Sequence, residues 1–284
     1  MTTTNNPTFV FIHGAWHNHH TWDKVVAALS ERGYGSVAID LPGAGPNAQS
    51  PAAFNERPLD PAKFATEPSP NAGVTQAERN DATIAAVQQA TQMGNGRVVL
   101  VGHSLGGLTI SPVAEMIPEQ IHAVVYLTAF MLPHGMVAGQ VIGSEIMAKA
   151  KVPPLFMADP EAVGALRMDV GSTDSSYLAA VKEAFYADVS DEDFQFILSH
   201  LHCDEPAQVA GTPSIITQEK YGTVNRHYIR CLQDQAIVIE GQDHMIELVD
   251  ADMGNVTQTH TLDTSHSPFL SAVEPLVDVL VSCG

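Results

Sequence analysis

Short apolar runs alternate with stretches of helical periodicity through the first half of the chain. Thr8-Phe9-Val10-Phe11-Ile12 reads as a buried strand, stopped by His13-Gly14. Residues 21–32 follow with Trp22, Val25, Val26 and Leu29 at helical spacing, and Gly33 closes that helix. The next strand spans 35–41 and ends at Pro42-Gly43; after a gap, a helix over 81–93 stops at Gly94-Asn95-Gly96. A strand over 97–101, a helix over 105–117 and a strand over 123–127 complete this half. Pro112 is expected to kink or shorten the second of these helices. Runs that are apolar at every position, separated by helices, predict a parallel sheet covered on both faces.

Two segments break this rhythm. Residues 45–73 are rich in proline, alanine and asparagine and read as a long surface excursion. Residues 133–213 contain helical stretches at 177–186 and 191–202 but no convincing strand, the pattern of a helical lid inserted above the strand ends. Strands return at 226–231 and 256–262, and an amphipathic helix over 269–281 ends the pattern. With no internal repeat and no linker, residues 1–284 are expected to form a single domain.

Composition narrows the function classes. A hydrophobic content of 45% with 16% charged residues fits a compact globular protein, and a net charge of −19 disfavours nucleic acid and anionic membranes as partners. Cys203, Cys231 and Cys283 are too few and too scattered along the chain for a disulfide framework or a metal cluster, and they fit a reducing compartment. Met1-Thr2-Thr3-Thr4-Asn5-Asn6-Pro7 carries no basic leader region and no apolar segment reaches transmembrane length, so the cytoplasm is the expected location.

The chemistry concentrates at Gly102-His103-Ser104-Leu105-Gly106, between the strand at 97–101 and the helix that follows. A serine on so tight a strand-to-helix turn sits in a strained backbone, and flanking glycines relieve the crowding. Its hydroxyl then faces the helix N-terminus, where N–H groups favour developing negative charge. A serine hydroxyl is a weak nucleophile at neutral pH, so a histidine must take its proton; the chain has thirteen. His17, His19 and His20 cluster but lack the Asp and His spacing of a dinuclear hydrolase, so no metal is expected and these residues are assigned to the pocket mouth. With no Gly-x-Gly-x-x-Gly and no P-loop, no nucleotide cofactor is expected either.

Four motifs carry a resemblance over nearly the whole length: Phe11-Ile12-His13-Gly14-Ala15-Trp16, Gly102-His103-Ser104-Leu105-Gly106-Gly107, Tyr228-Ile229-Arg230-Cys231-Leu232-Gln233-Asp234-Gln235-Ala236-Ile237 and Ser265-His266-Ser267-Pro268-Phe269. The chain resembles the α/β-hydrolase superfamily, in the branch of plant methylesterases, hydroxynitrile lyases and bacterial small-molecule carboxylesterases. The resemblance implies the α/β-hydrolase fold and a chain order of serine, acid and histidine, each in a loop after a strand. That order selects Ser104, Asp234 and His266. His260 falls inside a strand and His244 too soon after one, while Asp243 and Asp263 compete with Asp234 for the acid. The N–H groups of Ala15 and Leu105 are the implied oxyanion donors.

The expected activity is hydrolysis of a small carboxylic ester through an acyl-enzyme. Phe130, Met131, Leu155, Phe156, Met157, Phe185, Tyr186, Phe194 and Phe196 offer apolar lining and favour a hydrophobic substrate. The similar lyases carry a lysine after the catalytic histidine and a threonine near the first oxyanion position. Here Ser267 and Gly14-Ala15 stand at those places, which weighs against a lyase. Hydroxynitrile lyase or lactonase activity on the same scaffold, and a non-catalytic ligand receptor, are the alternatives. The partner expected is the small-molecule ester, with a homodimer as a candidate assembly.

Overall fold

The structure, a computed structural model, describes residues 6–284, so most of the N-terminal stretch read for a leader lies outside the described residues. The chain runs β1 (Thr8–Ile12), α1 (Asp23–Glu31), β2 (Gly35–Ala38), α2 (Pro61–Thr66), α3 (Gln76–Ala90), β3 (Val98–His103), α4 (Gly107–Met116) and β4 (Ile121–Leu127). It continues through β5 (Ala165–Arg167), α5 (Ser175–Phe185), α6 (Asp191–Leu198), β6 (Asp204–Pro206), β7 (Asn225–Cys231), α7 (Ile239–Met253), β8 (Gln258–Leu262) and α8 (Val273–Ser282), with short helical turns between. Six strands form one sheet in the order β2-β1-β3-β4-β7-β8. Every neighbouring pair in it is parallel.

Alternation along these strands builds two cores. Phe9, Phe11, Val99, Val101, Ala123 and Val125 face one side, under α1 and α8; Val10, Ile12, Val98, Leu100, Val124 and Tyr126 face the other, under α3 and α4. Both sets are apolar, which is why the strands read as continuous hydrophobic runs. The edge strand β8 instead exposes Gln258, Thr259 and Thr261, polar side chains that discourage further strand pairing.

Because all six strands run the same way, the residues after their C-terminal ends gather along one edge. His13 follows β1, Ser104 follows β3, Thr128 follows β4, and Asp234 and His266 lie in the loops after β7 and β8.

The structure departs from the sequence reading in five places. Residues 133–213 do contain strands: β5 and β6 pair antiparallel, Ala165 with Pro206 and Arg167 with Asp204. Three-residue strands are too short to show a period. The excursion at 45–73 carries α2 and drives Phe64 into the core at 0% exposure. Helix α3 begins at Gln76 rather than 81, set by a Thr75–Glu78 capping box that the apolar spacing does not reveal. Helix α7 fills the stretch between β7 and β8, its buried Met245, Ile246, Val249 and Met253 diluted by acidic neighbours. Pro112 does not end α4, which continues to Met116.

Candidate active site

The turn at Ser104 is built as its glycines predict. Ser104 holds φ at 52°, in the left-handed region, as strand β3 passes into α4. A Cβ at Gly14 would come within 2.7 Å of the Ser104 Cβ, and one at Gly107 within 2.1 Å of the Phe130 carbonyl oxygen. The first loop therefore packs directly against the serine turn. The Phe130 N–H donates to the Ser104 carbonyl at 3.0 Å and joins the β4 loop to the same turn.

Across the strand ends, His266 Nδ1 lies 2.6 Å from Asp234 Oδ2, with the two side chains 1% and 0% exposed. With the carboxylate ionised, Nδ1 is the donor, which leaves Nε2 free to accept a proton. Asp234 is held on every side: Thr128 donates its hydroxyl to Oδ2, while the N–H groups of Ala236 and Ile237 donate to Oδ1 at 2.7 and 2.9 Å. Of the competing residues, Asp243 pairs with Arg230, Asp263 accepts from Gln233, and His260 lies within β8. His103 Nε2–H donates to the His266 carbonyl at 3.0 Å and braces its loop. Burial, with His266 nearby, pushes the His103 pKa well below the usual imidazole value.

Ser104 lines a small apolar pocket. Ala15, Leu105, Trp16 and Phe130 line it from the sheet side, and Phe156 and Phe185 from the 133–213 segment. Of the other apolar residues considered, Phe196 points to solvent and Tyr186 and Phe194 are buried elsewhere in the core.

The loop after β1 is locked by partners invisible in the sequence. Trp16 has φ of 61°, and its N–H donates to Glu205 Oε2 at 3.3 Å. Burial by itself would raise the Glu205 pKa, but Arg79, at 2.5 Å, and His202 hold it down to about 2. Glu205 is thus a buried carboxylate directly behind the Ala15 turn. Thr128 and Glu205 were both missed in the sequence; a threonine immediately after a central strand was the one usable signal for the former.

His17 does not sit at the pocket mouth. It is 3% exposed, its Nδ1–H donates to the Ala15 carbonyl at 2.6 Å, and Nε2 accepts from the Tyr186 hydroxyl at 2.7 Å. His19 instead bonds Asp40, and His20 bonds Asp23. Burial lowers the pKa of His17 to about 3 and that of His13 to about 4. Both are neutral when folded, so below the unfolded value of 6.5 the unfolded chain binds protons that the folded chain refuses. Stability is therefore full above pH 6.5 and is lost as pH falls toward the folded values, by about 1.4 kcal/mol per pH unit per group. Urea midpoints are expected to fall steadily between pH 6.5 and about 4.5, before carboxylates contribute; a flat profile there would contradict neutral buried imidazoles.

A family model described as the alpha/beta hydrolase family matches residues 9–279. The chain belongs to the alpha/beta hydrolase family. This hydrolase is 26% identical over 281 residues to a chloroplastic Arabidopsis thaliana protein provisionally named methylesterase 11, covering 96% of the present chain and 63% of that longer relative. Esterase PIR7B of Oryza sativa subsp. japonica is 26% identical over 255 residues, 87% of this chain and 86% of its own. The relatives also include an alpha-hydroxynitrile lyase of Arabidopsis thaliana. Among solved structures, a pyrethroid hydrolase from Sphingobium faniae JZ-2 superposes with a TM-score of 0.73 at 22% identity, over 97% of this hydrolase and 96% of that chain, a likeness of fold. Among the described residues, no helix of the hydrolase is long and apolar enough to cross a membrane.

Proposed function

We propose that this hydrolase cleaves small carboxylic esters with an apolar acyl or alcohol group, through a serine-bound acyl-enzyme. Ser104 Oγ attacks the ester carbonyl while His266 Nε2 takes its proton. Asp234 fixes the His266 tautomer and stabilises the imidazolium. The N–H groups of Ala15 and Leu105 hold the oxyanion. His266 returns the proton to the leaving alcohol, and water activated by the same imidazole then releases the acid. The observation that carries the reading is a serine in a strained backbone conformation that lines a small apolar pocket. Residues 133–213 act as the lid of a single catalytic domain, and the free thiols of Cys203, Cys231 and Cys283 fit a reducing compartment such as the cytoplasm.

Names of relatives support the ester reading. Ser267 after His266, and Gly14-Ala15 in the first loop, favour it over cyanohydrin cleavage. The pocket is small, so p-nitrophenyl acetate and butyrate are expected to turn over faster than the octanoate. Absence of turnover on all three esters by folded protein would reject a general esterase.

A further inference from the structure

Beyond the pocket, one cluster of ligating side chains has no part in the reaction just described. His227 is the third residue of β7, His260 lies in β8, and Cys283 caps the C-terminal end of α8. Parallel pairing sets Ile229 beside His260, and His227 projects from the same sheet face as Ile229, the face that α8 covers. Three elements distant along the chain thus bring two imidazoles and a thiol together.

Their spacing approaches that of a coordination shell. His227 Nδ1 and His260 Nε2 are 3.1 Å apart, Cys283 Sγ is 3.7 Å from His260 Nε2, and one ligand atom from each residue lies within 4.8 Å of the others. A tetrahedral zinc ion with ordinary Zn–N and Zn–S bonds would need edges of about 3.3 Å between nitrogens and about 3.6 Å between nitrogen and sulfur. A shift of a few tenths of an ångström brings the two contacts at His260 to these lengths, and the remaining edge between His227 and Cys283, which lies within 4.8 Å, closes as the metal draws the two residues in. His227 and Cys283 are buried, while His260 is half-buried and leaves a path for the ion and for a water as fourth ligand.

We propose that His227, His260 and Cys283 form a binding site for a thiophilic divalent cation of the zinc class, at the end of α8 and separate from the Ser104 pocket. Two imidazoles and a thiolate are the donor set such ions prefer over magnesium or calcium. Burial favours the neutral form of all three groups, lowering both imidazoles and raising the Cys283 thiol to about 11, so the metal must displace the thiol proton and binding should tighten as pH rises. The Cys283 thiol, which now donates to the Val279 carbonyl at 3.2 Å, gives its proton to solvent as the sulfur–metal bond forms, with no change of oxidation state. The scatter of cysteines that argues against a metal cluster holds along the chain only; the histidines supply the partners. Bound metal would staple α8 to β7 and β8 and stabilise the folded state by mass action.

Titration of the reduced full chain with cobalt(II) is expected to give one equivalent with tetrahedral ligand-field bands and a thiolate charge-transfer band, all displaced by zinc. Cys283→Ser should abolish the charge-transfer band, and His260→Gln should weaken zinc binding by at least about ten-fold. Zinc should raise the melting temperature of the wild type and not of Cys283→Ser. Folding of the variants is checked by their metal-free melting temperatures. Cobalt binding without a thiolate band would overturn the proposal. So would zinc binding equally tight in both variants, which would place the ion at a different site such as the half-buried His19 and His20 with exposed Asp23.

Discussion

Ser104→Ala is expected to lower turnover of p-nitrophenyl butyrate by roughly 10⁴- to 10⁶-fold while the protein stays folded. Loss of the nucleophile removes the covalent route altogether, and the residual rate comes from substrate binding and the oxyanion donors alone. Because the groups act as a unit, Ser104→Ala combined with His266→Ala should cost little more than either change singly. A fluorophosphonate probe should label the wild type and leave Ser104→Ala unlabelled. Turnover in Ser104→Ala within ten-fold of the wild type would show that the serine is not the nucleophile and would remove the basis of the proposed reaction.

The second large effect concerns stability rather than chemistry. Arg167 and Asp204 are both 0% exposed, and the guanidinium meets the carboxylate through two bonds of 2.7 Å. Arg167 also donates to the carbonyls of Phe64 and Glu67, and its guanidinium lies 4.9 Å from the Phe64 ring centre. One arginine therefore joins β5, β6 and the 45–73 excursion. Asp204→Ala would strand that charge away from water, at an expected cost of about 3–5 kcal/mol. A urea midpoint shift without a change in slope would measure it. Arg167→Met with Asp204→Leu should cost clearly less than Asp204→Ala alone, because no unpaired charge is left buried. An Asp204→Ala variant with an unchanged midpoint would mean that β5 and β6 are held chiefly by apolar contacts.

These two sites differ in how visible they are before folding. The serine turn is legible because its chemistry is local: strand, tight turn, glycines and helix follow one another within about a dozen residues. The Arg167–Asp204 pair has no such signature, since 37 residues separate its members and neither lies in a periodic segment. Glu205 is hidden for the same reason. Its partners Arg79 and Trp16 lie 126 and 189 residues away along the chain.

The sequence by itself determined the parallel sheet, the succession of strands and helices along the first half of the chain, and the serine turn, because continuous apolar runs and glycine-bounded turns are local consequences of side-chain size and backbone freedom. With the family resemblance it also pointed to Asp234 and His266, which fold to within 2.6 Å of each other. Tertiary structure alone decided what surrounds them: Thr128 on Asp234, Glu205 behind the Ala15 turn, Tyr186 on His17, the pairing of β5 with β6, and the meeting of His227, His260 and Cys283. These contacts join segments far apart in the chain, and a distant charge or donor leaves no periodic trace in the sequence that carries it.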